Sequence, residues 1–83
     1  MADIRPTGWA VEGCWWNGTY GRIARRDIWL YTNGYVWRVD ARQGDGDAKV
    51  WSKTFTGEKD ARELVTQMMA RSGNEWRDIT RAL

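Results

Sequence analysis

Residues 27–55 read DIWLYTNGYVWRVDARQGDGDAKVWSKTF, and this stretch decides the fold. Two apolar runs flank Asn33-Gly34, a third follows a Gly/Asp-rich loop, and a helical pattern begins directly after Phe55. Asn-Gly between alternating apolar runs is the strongest short-range signal for a β-hairpin, because both central residues of a type I′ turn need a positive φ. The stretch therefore predicts a sheet that docks on a helix.

The sequence on either side extends this sheet. Residues 9–16 alternate as a strand does, Asn17-Gly18 offers a second hairpin turn, and residues 19–25 follow as another strand. The last strand is expected over residues 48–55, and residues 1–7 form a lead-in. The expected fold class is α+β, with an antiparallel sheet of three to five strands, a meander of hairpins, packed on one main C-terminal helix.

The main helix has the clearest pattern in the chain. Five apolar residues recur at i, i+3, i+4, i+7 and i+8 and make one stripe: Ala61, Leu64, Val65, Met68 and Met69. Acidic residues stand in the first turn and Gly73 follows the last, so we expect a helix over residues 57–72. A short second helix is expected over residues 75–82. The whole chain, 1–83, makes one small domain with its sheet over residues 9–55.

The turns assign side chains to the two faces of the sheet. A two-residue turn at Asn33-Gly34 places Leu30 opposite Trp37, and directly opposite residues share a face. The face expected to pack on the helix carries Cys14, Trp16, Ile23, Ile28, Leu30, Trp37 and Val39. The other face carries Trp15, Tyr20, Arg22, Trp29, Tyr31, Val36 and Arg38. A one-residue slip between the second and third strands would exchange these faces.

The aromatic and basic residues of the second face have two interpretations. In one, Arg22, Trp29 and Arg38 form a binding surface. In the other, they stiffen the sheet through cation–π contacts of ~1 kcal/mol each, or are buried against the tail or a partner subunit. On the last strand, Lys49 and Lys53 alternate with smaller residues, so we expect the lysine side to face water or phosphate and the smaller residues to lie under the helix.

Composition excludes several classes of function. The chain has no His and one Cys, which removes His-based acid–base catalysis and a thiolate metal cage. The sequence also places no two carboxylates in an apolar pocket where their pKa values would separate. We therefore expect no enzymatic activity, no cofactor and no metal.

Charge and apolar content indicate the setting and the kind of partner. A lone Cys and the absence of a long apolar run predict a cytoplasmic protein that does not enter a membrane. The net charge of +2 suits an anionic partner. Seven Trp are more than a domain of this size easily buries, so we expect some of them on a working surface.

Residues 48–61, AKVWSKTFTGEKDA, resemble the end of the DNA-binding domain of the APETALA/ethylene-response-factor family. In that family a strand of the form A-R-V-W-L-G-T-F leads into a helix, and six positions match here: Ala48, Val50, Trp51, Thr54, Phe55 and Ala61. Residues 20–26 are similar to its opening strand, and phage integrase arm-binding domains share the sheet-plus-helix plan. The resemblance implies a three-stranded sheet laid in the DNA major groove, and it implicates Arg22, Arg38, Lys49 and Trp51.

The leading hypothesis is a small DNA-binding module or regulator whose partner is double-stranded DNA. Its candidate nucleic-acid-binding residues would contact bases, sugars or phosphates: Arg22, Arg25, Arg26, Trp29, Arg38, Lys49, Trp51 and Lys53.

The alternative is a protein–protein interaction module, or a small phage or bacterial regulator, that uses the same aromatic face, since Trp, Tyr and Arg dominate such interfaces. Asp27 and Asp40, expected to be cross-strand neighbours on that face, favour this alternative because they repel phosphate. The expected assembly is a monomer or a weak homodimer.

Overall fold

Four strands of seven residues each come first in the chain: Ala10–Trp16 (β1), Arg26–Thr32 (β2), Trp37–Gln43 (β3) and Lys49–Phe55 (β4). The helix α1 spans Glu58–Ser72, and the two-residue strand β5, Arg77–Asp78, precedes a 3-10 turn over Thr80–Ala82. The strands form one antiparallel sheet in the order β4-β3-β2-β1-β5. This computed structural model describes residues 8–20, 24–44, 49–72 and 75–82, and the predicted α+β class is confirmed.

The hairpin around Asn33-Gly34 joins β2 to β3, but its register differs from the predicted one. Leu30 lies opposite Val39, two residues beyond the predicted partner. Asn33 does not adopt the positive φ of a type I′ turn. Its side-chain oxygen instead accepts hydrogen bonds from two backbone N–H groups of a longer loop, at 2.9 and 3.0 Å. Because the shift is of two residues, the side chains of β2 and β3 keep their predicted faces.

The prediction of a strand over residues 19–25 is wrong for the part that the structure describes. Residues 19, 20, 24 and 25 belong to no strand, and residues 21–23 lie outside the described ranges. β1 pairs directly with β2 instead, with Cys14 opposite Trp29 and Trp15 opposite Ile28. This pairing exchanges the predicted faces of β1, so that Trp15 lies on the helix side and Cys14 on the other side.

Asn17 is not the first residue of a tight turn. It is buried, and its hydrogen bonds hold the two ends of the β1–β2 connection together, a role called here the clamp. Its side-chain N–H donates to the carbonyl oxygen of Ala24 at 2.8 Å. Its side-chain oxygen accepts from the backbone N–H of Arg26 at 3.1 Å, and its own backbone N–H donates to the carbonyl of Arg26 at 3.1 Å. These bonds close the connection between β1 and β2.

A β-bulge at Glu12 and the fold of Trp15 shape β1. Val11 pairs with Tyr31, while the next paired residue on β1 is Gly13, which leaves Glu12 as the extra residue. The Trp15 ring lies against Gly13 so closely that a Cβ there would stand 2.3 Å from a ring carbon. Glycine at this position therefore lets Trp15 fold over its own strand and pack on the helix-side core.

The main core lies between the sheet and α1. Its buried residues are Ile28, Leu30, Val39, Ala61 and Val65. The rest of the predicted helix stripe is partly buried against them: Leu64, Met68 and Met69. The single apolar stripe of α1 is therefore confirmed, and so is the helix-side assignment of Ile28, Leu30 and Val39.

A second cluster, called here the aromatic cluster, lies on the face away from α1. It consists of the buried residues Cys14, Trp29 and Tyr31, with Trp9, Val11 and Ile79 packed against them. The Trp29 and Tyr31 rings stack, with centroids 5.9 Å apart and planes 9° apart. Both faces of the sheet thus carry packed apolar groups.

The tail forms β5 and a 3-10 turn where the sequence predicted a short helix over residues 75–82. The backbone N–H of Ile79 donates to the carbonyl of Cys14 at 2.9 Å, and the N–H of Cys14 donates to the Thr80 hydroxyl at 2.9 Å. An unpaired strand edge presents a row of N–H and C=O groups, and the tail satisfies those of β1. It thereby also carries Ile79 onto the aromatic cluster.

Candidate interaction surface

The centre of the face expected to carry function is covered by other segments of the chain. Trp29 is 6% exposed and Tyr31 is 2% exposed, because Trp9 and Ile79 pack against them. The Arg38 guanidinium lies over the Trp9 ring, 5.8 Å from its centroid. Of the two interpretations of this face, burial by other segments of the chain is the one that the structure shows for Trp29.

Arg38 takes part in a polar network that joins β3 to β4. Its Nε donates to Oδ1 of Asp40 at 2.7 Å, and its Nη2 donates to the Ser52 hydroxyl at 3.2 Å. The Ser52 hydroxyl donates to the same Asp40 oxygen at 2.7 Å. This arrangement commits Arg38 to contacts within the sheet.

The two acidic residues of this face are each matched by arginine. Asp27 is almost fully buried, and both of its carboxylate oxygens accept hydrogen bonds from Arg25, at 3.0 and 3.2 Å. Nη2 of Arg42 lies 3.7 Å from the same carboxylate. In the observed register Asp27 opposes Arg42 and Asp40 opposes Trp29, so the expected cross-strand pair of acids is absent. These carboxylates therefore do not make an exposed acidic stripe.

Burial also makes the ionisable groups of the aromatic cluster inert. Desolvation, with a further contribution from Asp27, raises the pKa of the Cys14 thiol from 9.0 to about 12. Desolvation, followed by the charge of Asp40, raises the pKa of Tyr31 from 10.0 to about 12. Both groups are therefore neutral near neutral pH.

β4 is oriented opposite to the prediction. Lys53 pairs with Val39 and Trp51 with Ala41, and Val39 faces the helix. The lysine side of β4 therefore lies on the helix side of the sheet, and the smaller residues lie on the other side. The alternation within β4 divides its residues into two sides but does not show which side faces the helix. The pairing with β3 determines that.

The candidate nucleic-acid-binding residues consequently do not share one surface. Trp29 and Arg38 lie on the face away from α1, whereas Trp51 and Lys53 lie on the helix side. Arg25 is bound to Asp27 at the start of β2.

Arg26 is exposed on the helix side beside the end of α1. Arg22 lies outside the described residues, as does the side chain of Lys49. Among the described candidates, Arg26, Trp51 and Lys53 share the helix side, and Trp29 and Arg38 share the other side.

An arginine–tryptophan group at the end of β1 was missed by sequence reasoning. The Arg25 and Arg77 guanidinium carbons lie 5.4 and 5.7 Å from the Trp16 ring centroid. The Tyr20 ring, which is 75% exposed, lies 4.9 Å from Trp16. The sequence placed Trp16 under the main helix and Arg77 on a short helix, so only the pairing of β1 with β5 reveals this group.

The hydrogen-bond pattern shows which backbone groups of β4 point away from the sheet. The N–H of Gly44 donates to the carbonyl of Arg25, and the N–H of Asn33 donates to the carbonyl of Val36. In an antiparallel ladder bonded and non-bonded pairs alternate, so odd-numbered residues of β2 bond to β3 and odd-numbered residues of β3 bond to β4. The odd-numbered residues of β4 then bond to β3.

The even-numbered residues of β4 therefore present their N–H and C=O groups outward. They are Val50, Ser52 and Thr54, called here the outward residues. β4 is the end strand of the sheet, and no strand within the described part of the chain pairs with this edge. Val50 is 57% exposed and Trp51 is 47% exposed, so apolar side chains accompany the open edge.

An apolar cleft lies beside this edge. It has a volume of about 350 Å³ and opens between the ends of β2, β3 and β4 and the end of α1, with Arg26 and Arg42 among its lining residues. Trp51, Met68 and Trp76 line it, and the Trp76 indole N–H donates to the Ser72 hydroxyl at 2.6 Å. The edge and the cleft together make one continuous candidate surface.

Comparisons with protein-family models, with the curated proteins and with the solved structures found no match to this chain. The resemblance of residues 48–61 to the APETALA/ethylene-response-factor domain therefore stays a prediction. No helix within the described ranges is long and apolar enough to cross a membrane. The described Cys, Asp and Glu residues form no group of three that could hold a metal ion.

Proposed function

We propose that this protein is a non-enzymatic protein-interaction module that binds through the open edge of β4. The observation that carries the proposal is the row of outward residues next to the half-exposed Trp51. An extended segment that adds to a sheet edge gains affinity from backbone hydrogen bonds and specificity from side-chain pockets. The partner that fits this edge is therefore an extended segment that pairs with β4 as an additional strand.

The contrast between the two ends of the sheet supports this proposal. At one end the chain closes β1 with its own tail through β5. At the other end β4 keeps a seven-residue edge that no described strand covers. Lysines such as Lys53 protect a strand edge from non-specific pairing. The exposed Val50 and Trp51 on the same edge favour contact with a matched partner.

The cleft supplies the specificity that an edge alone lacks. Trp is among the residues that dominate binding energies, and Met adapts its shape to different ligands. Trp51, on the edge strand, lines the cleft together with Met68 and Trp76. An apolar side chain of a bound strand would enter there while its backbone pairs with the outward residues.

The group around Trp16 supports a second candidate, which is DNA binding. Arg77 and Arg25 lie over the Trp16 ring, and the exposed Tyr20 ring stands beside it. Arginine contacts phosphates, and aromatic rings stack on sugars or bases. Since Arg25 is also bound to Asp27, we assign the phosphate contact to Arg77.

A two-arm NMR titration of the 15N-labelled protein tests both candidates. One arm uses peptides selected on the folded protein from a random display library, and the other uses short duplex DNA at two salt concentrations. We expect the peptides to shift the amides of the outward residues, and Trp51→Ala to weaken peptide binding at least ~10-fold. Tyr35→Ala, at the exposed hairpin tip, serves as the control and should bind as the wild type does.

Two results would contradict the interaction proposal. One is that the peptides shift no amide of β4. The other is salt-dependent DNA binding that shifts Trp16 and is abolished by Arg77→Ala, which would transfer the function to the second candidate.

A further inference from the structure

We infer that the segment that pairs with the open edge is β4 of a second copy of this chain, in one register centred on Ser52. The inference rests on the proposed function, because it uses the same edge. It goes beyond that function by naming the occupant and the pairing. Its basis is the fit of the β4 sequence to itself.

The backbone fits because the outward residues are spaced evenly about Ser52. A two-fold axis perpendicular to the sheet at Ser52 sets Ser52 opposite its equivalent in the second copy. It also sets Val50 opposite Thr54 of the second copy, and Thr54 opposite Val50 of the second copy. All of these residues point their N–H and C=O groups toward the partner, so about six backbone hydrogen bonds form.

The side chains favour this register over its neighbours. Centred on Ser52, the pairing sets Trp51 opposite Lys53 of the second copy, where the ammonium group meets an aromatic ring. Lys53 already makes such a contact within its own chain, with Nζ 5.3 Å from the Phe55 ring centroid. On the other face the opposed residues are small or uncharged.

The neighbouring registers bring like charges together. Centring the pairing on Trp51 sets Lys49 opposite Lys53 of the second copy. Centring it on Lys53 sets two Lys53 residues opposite each other. Like charges directly opposite on a sheet destabilise it, so the lysines disfavour both of these registers, while the Ser52 register pairs all three outward residues of each copy.

The rest of the fold limits the assembly to a dimer. A two-fold pairing is isologous and consumes both copies of the β4 edge. The far end of each sheet is β5, which has two residues, Arg77 and Asp78, and both are charged. Short and charged end strands do not template further pairing, so growth stops at two copies.

Sedimentation velocity and light scattering on the full chain, over about 5 to 500 µM, test the inference. We expect a reversible dimer with a dissociation constant of roughly 10–100 µM, as small interfaces give. Trp51→Glu places a carboxylate opposite Lys53 of the second copy and should keep or strengthen the dimer, in a salt-dependent way. Trp51→Lys places an ammonium there and should weaken the dimer more than ~10-fold.

A second pair of variants tests the backbone contribution. Thr54→Pro removes an outward N–H and leaves the bonds to β3, so it should abolish dimerisation while circular dichroism shows a folded domain. Thr54→Ala keeps that N–H and should dimerise as the wild type does. A monomer at every concentration, or equal behaviour of Trp51→Glu and Trp51→Lys, would overturn the inference.

The failure of the inference is distinguishable from failure of the proposed function. A monomeric protein whose outward residues still shift on peptide addition overturns self-pairing alone. A dimer that survives Thr54→Pro also overturns it, because that dimer uses another surface.

Discussion

Trp29 shows how a residue predicted for a binding surface comes to lie in a core. Its face was predicted correctly, because side chains alternate along a strand whatever covers them. The sequence left its burial undecided between the tail and a binding surface, because the residues that cover it, Trp9 and Ile79, lie near opposite ends of the chain. The alternation of residues within a strand shows on which face a side chain lies, but it does not show which distant segments of the chain cover that face.

The predicted face of the sheet was right for Arg38 and wrong for Trp51. The face of Arg38 was predicted correctly, since the hairpin register moved by two residues and an even shift preserves faces. Trp51 was expected beside Arg38 and lies instead on the helix side, opposite Ala41. The Gly/Asp-rich connection before β4 carries no turn signal that sets the register of that strand.

The raised pKa values of Cys14 and Tyr31 predict a loss of stability in alkali. Below pH 9.0, the unfolded pKa of the thiol, both groups are neutral in the folded and unfolded states. Above it the unfolded chain ionises first, because the folded pKa values are about 12. The free energy of unfolding should therefore fall as pH rises from about 9 to about 12.

Urea unfolding at about pH 8, 9.5 and 11 measures this fall. The double variant Cys14→Ala/Tyr31→Phe lacks both ionisations and should show a shallower decline. Parallel declines in the wild type and the double variant would contradict the assignment of the effect to these two groups.

The two Asn-Gly dipeptides lie in connections of different structure. Asn33-Gly34 lies in an exposed hairpin loop, as predicted, although the loop is longer than expected. Asn17-Gly18 begins a connection closed by hydrogen bonds to Ala24 and Arg26. Local sequence is the same in both, so tertiary hydrogen bonds decide the outcome, and this is why the predicted second strand failed.

The tail shows how an open edge overrides a helical pattern. Trp76, Ile79 and Leu83 have helical spacing, yet Arg77–Asp78 forms a strand. The β1 edge offers the Cys14 carbonyl to Ile79 and the Cys14 N–H to Thr80. An eight-residue helix is marginal by itself, so these bonds decide the structure.

The buried clamp predicts unequal effects of two similar substitutions. Asn17→Ala leaves the carbonyl of Ala24 and the N–H of Arg26 without their partner in a closed loop, so it should lower the free energy of unfolding by about 2–3 kcal/mol. Asn33→Ala acts at an exposed loop, where water replaces the lost bonds, and should cost ~1 kcal/mol or less. Chemical denaturation of both variants measures the difference, and equal losses would show that Asn17 is not the clamp.

At the scale of the whole molecule, the packing of both faces moves the candidate site to an edge. α1 packs on one face of the sheet, and Trp9 with Ile79 packs on the other. β5 closes one end of the sheet. The edge of β4 is the part of the described sheet that stays available for strand pairing.

The sequence predicted Trp51 and Lys53 as candidate nucleic-acid-binding residues, whereas the edge role proposed for β4 has a different basis. An edge role depends on strand order, and strand order here depends on the direct pairing of β1 with β2 and on the return of the tail. One local signal was available, because a strand with charged Lys49 and Lys53 flanking Trp51 is typical of an edge. The fold class, by contrast, followed from the hairpin and helix patterns alone.

Amide hydrogen exchange measured residue by residue tests the central claim most directly. The dilute protein is compared with and without a peptide selected on it, and the amides along β4 are followed. We predict that the peptide protects the amides of the outward residues, while those of Trp51, Lys53 and Phe55, bonded to β3, change little. Protection gained at Trp29 and Arg38, or around Trp16, with no change along β4, would contradict the claim.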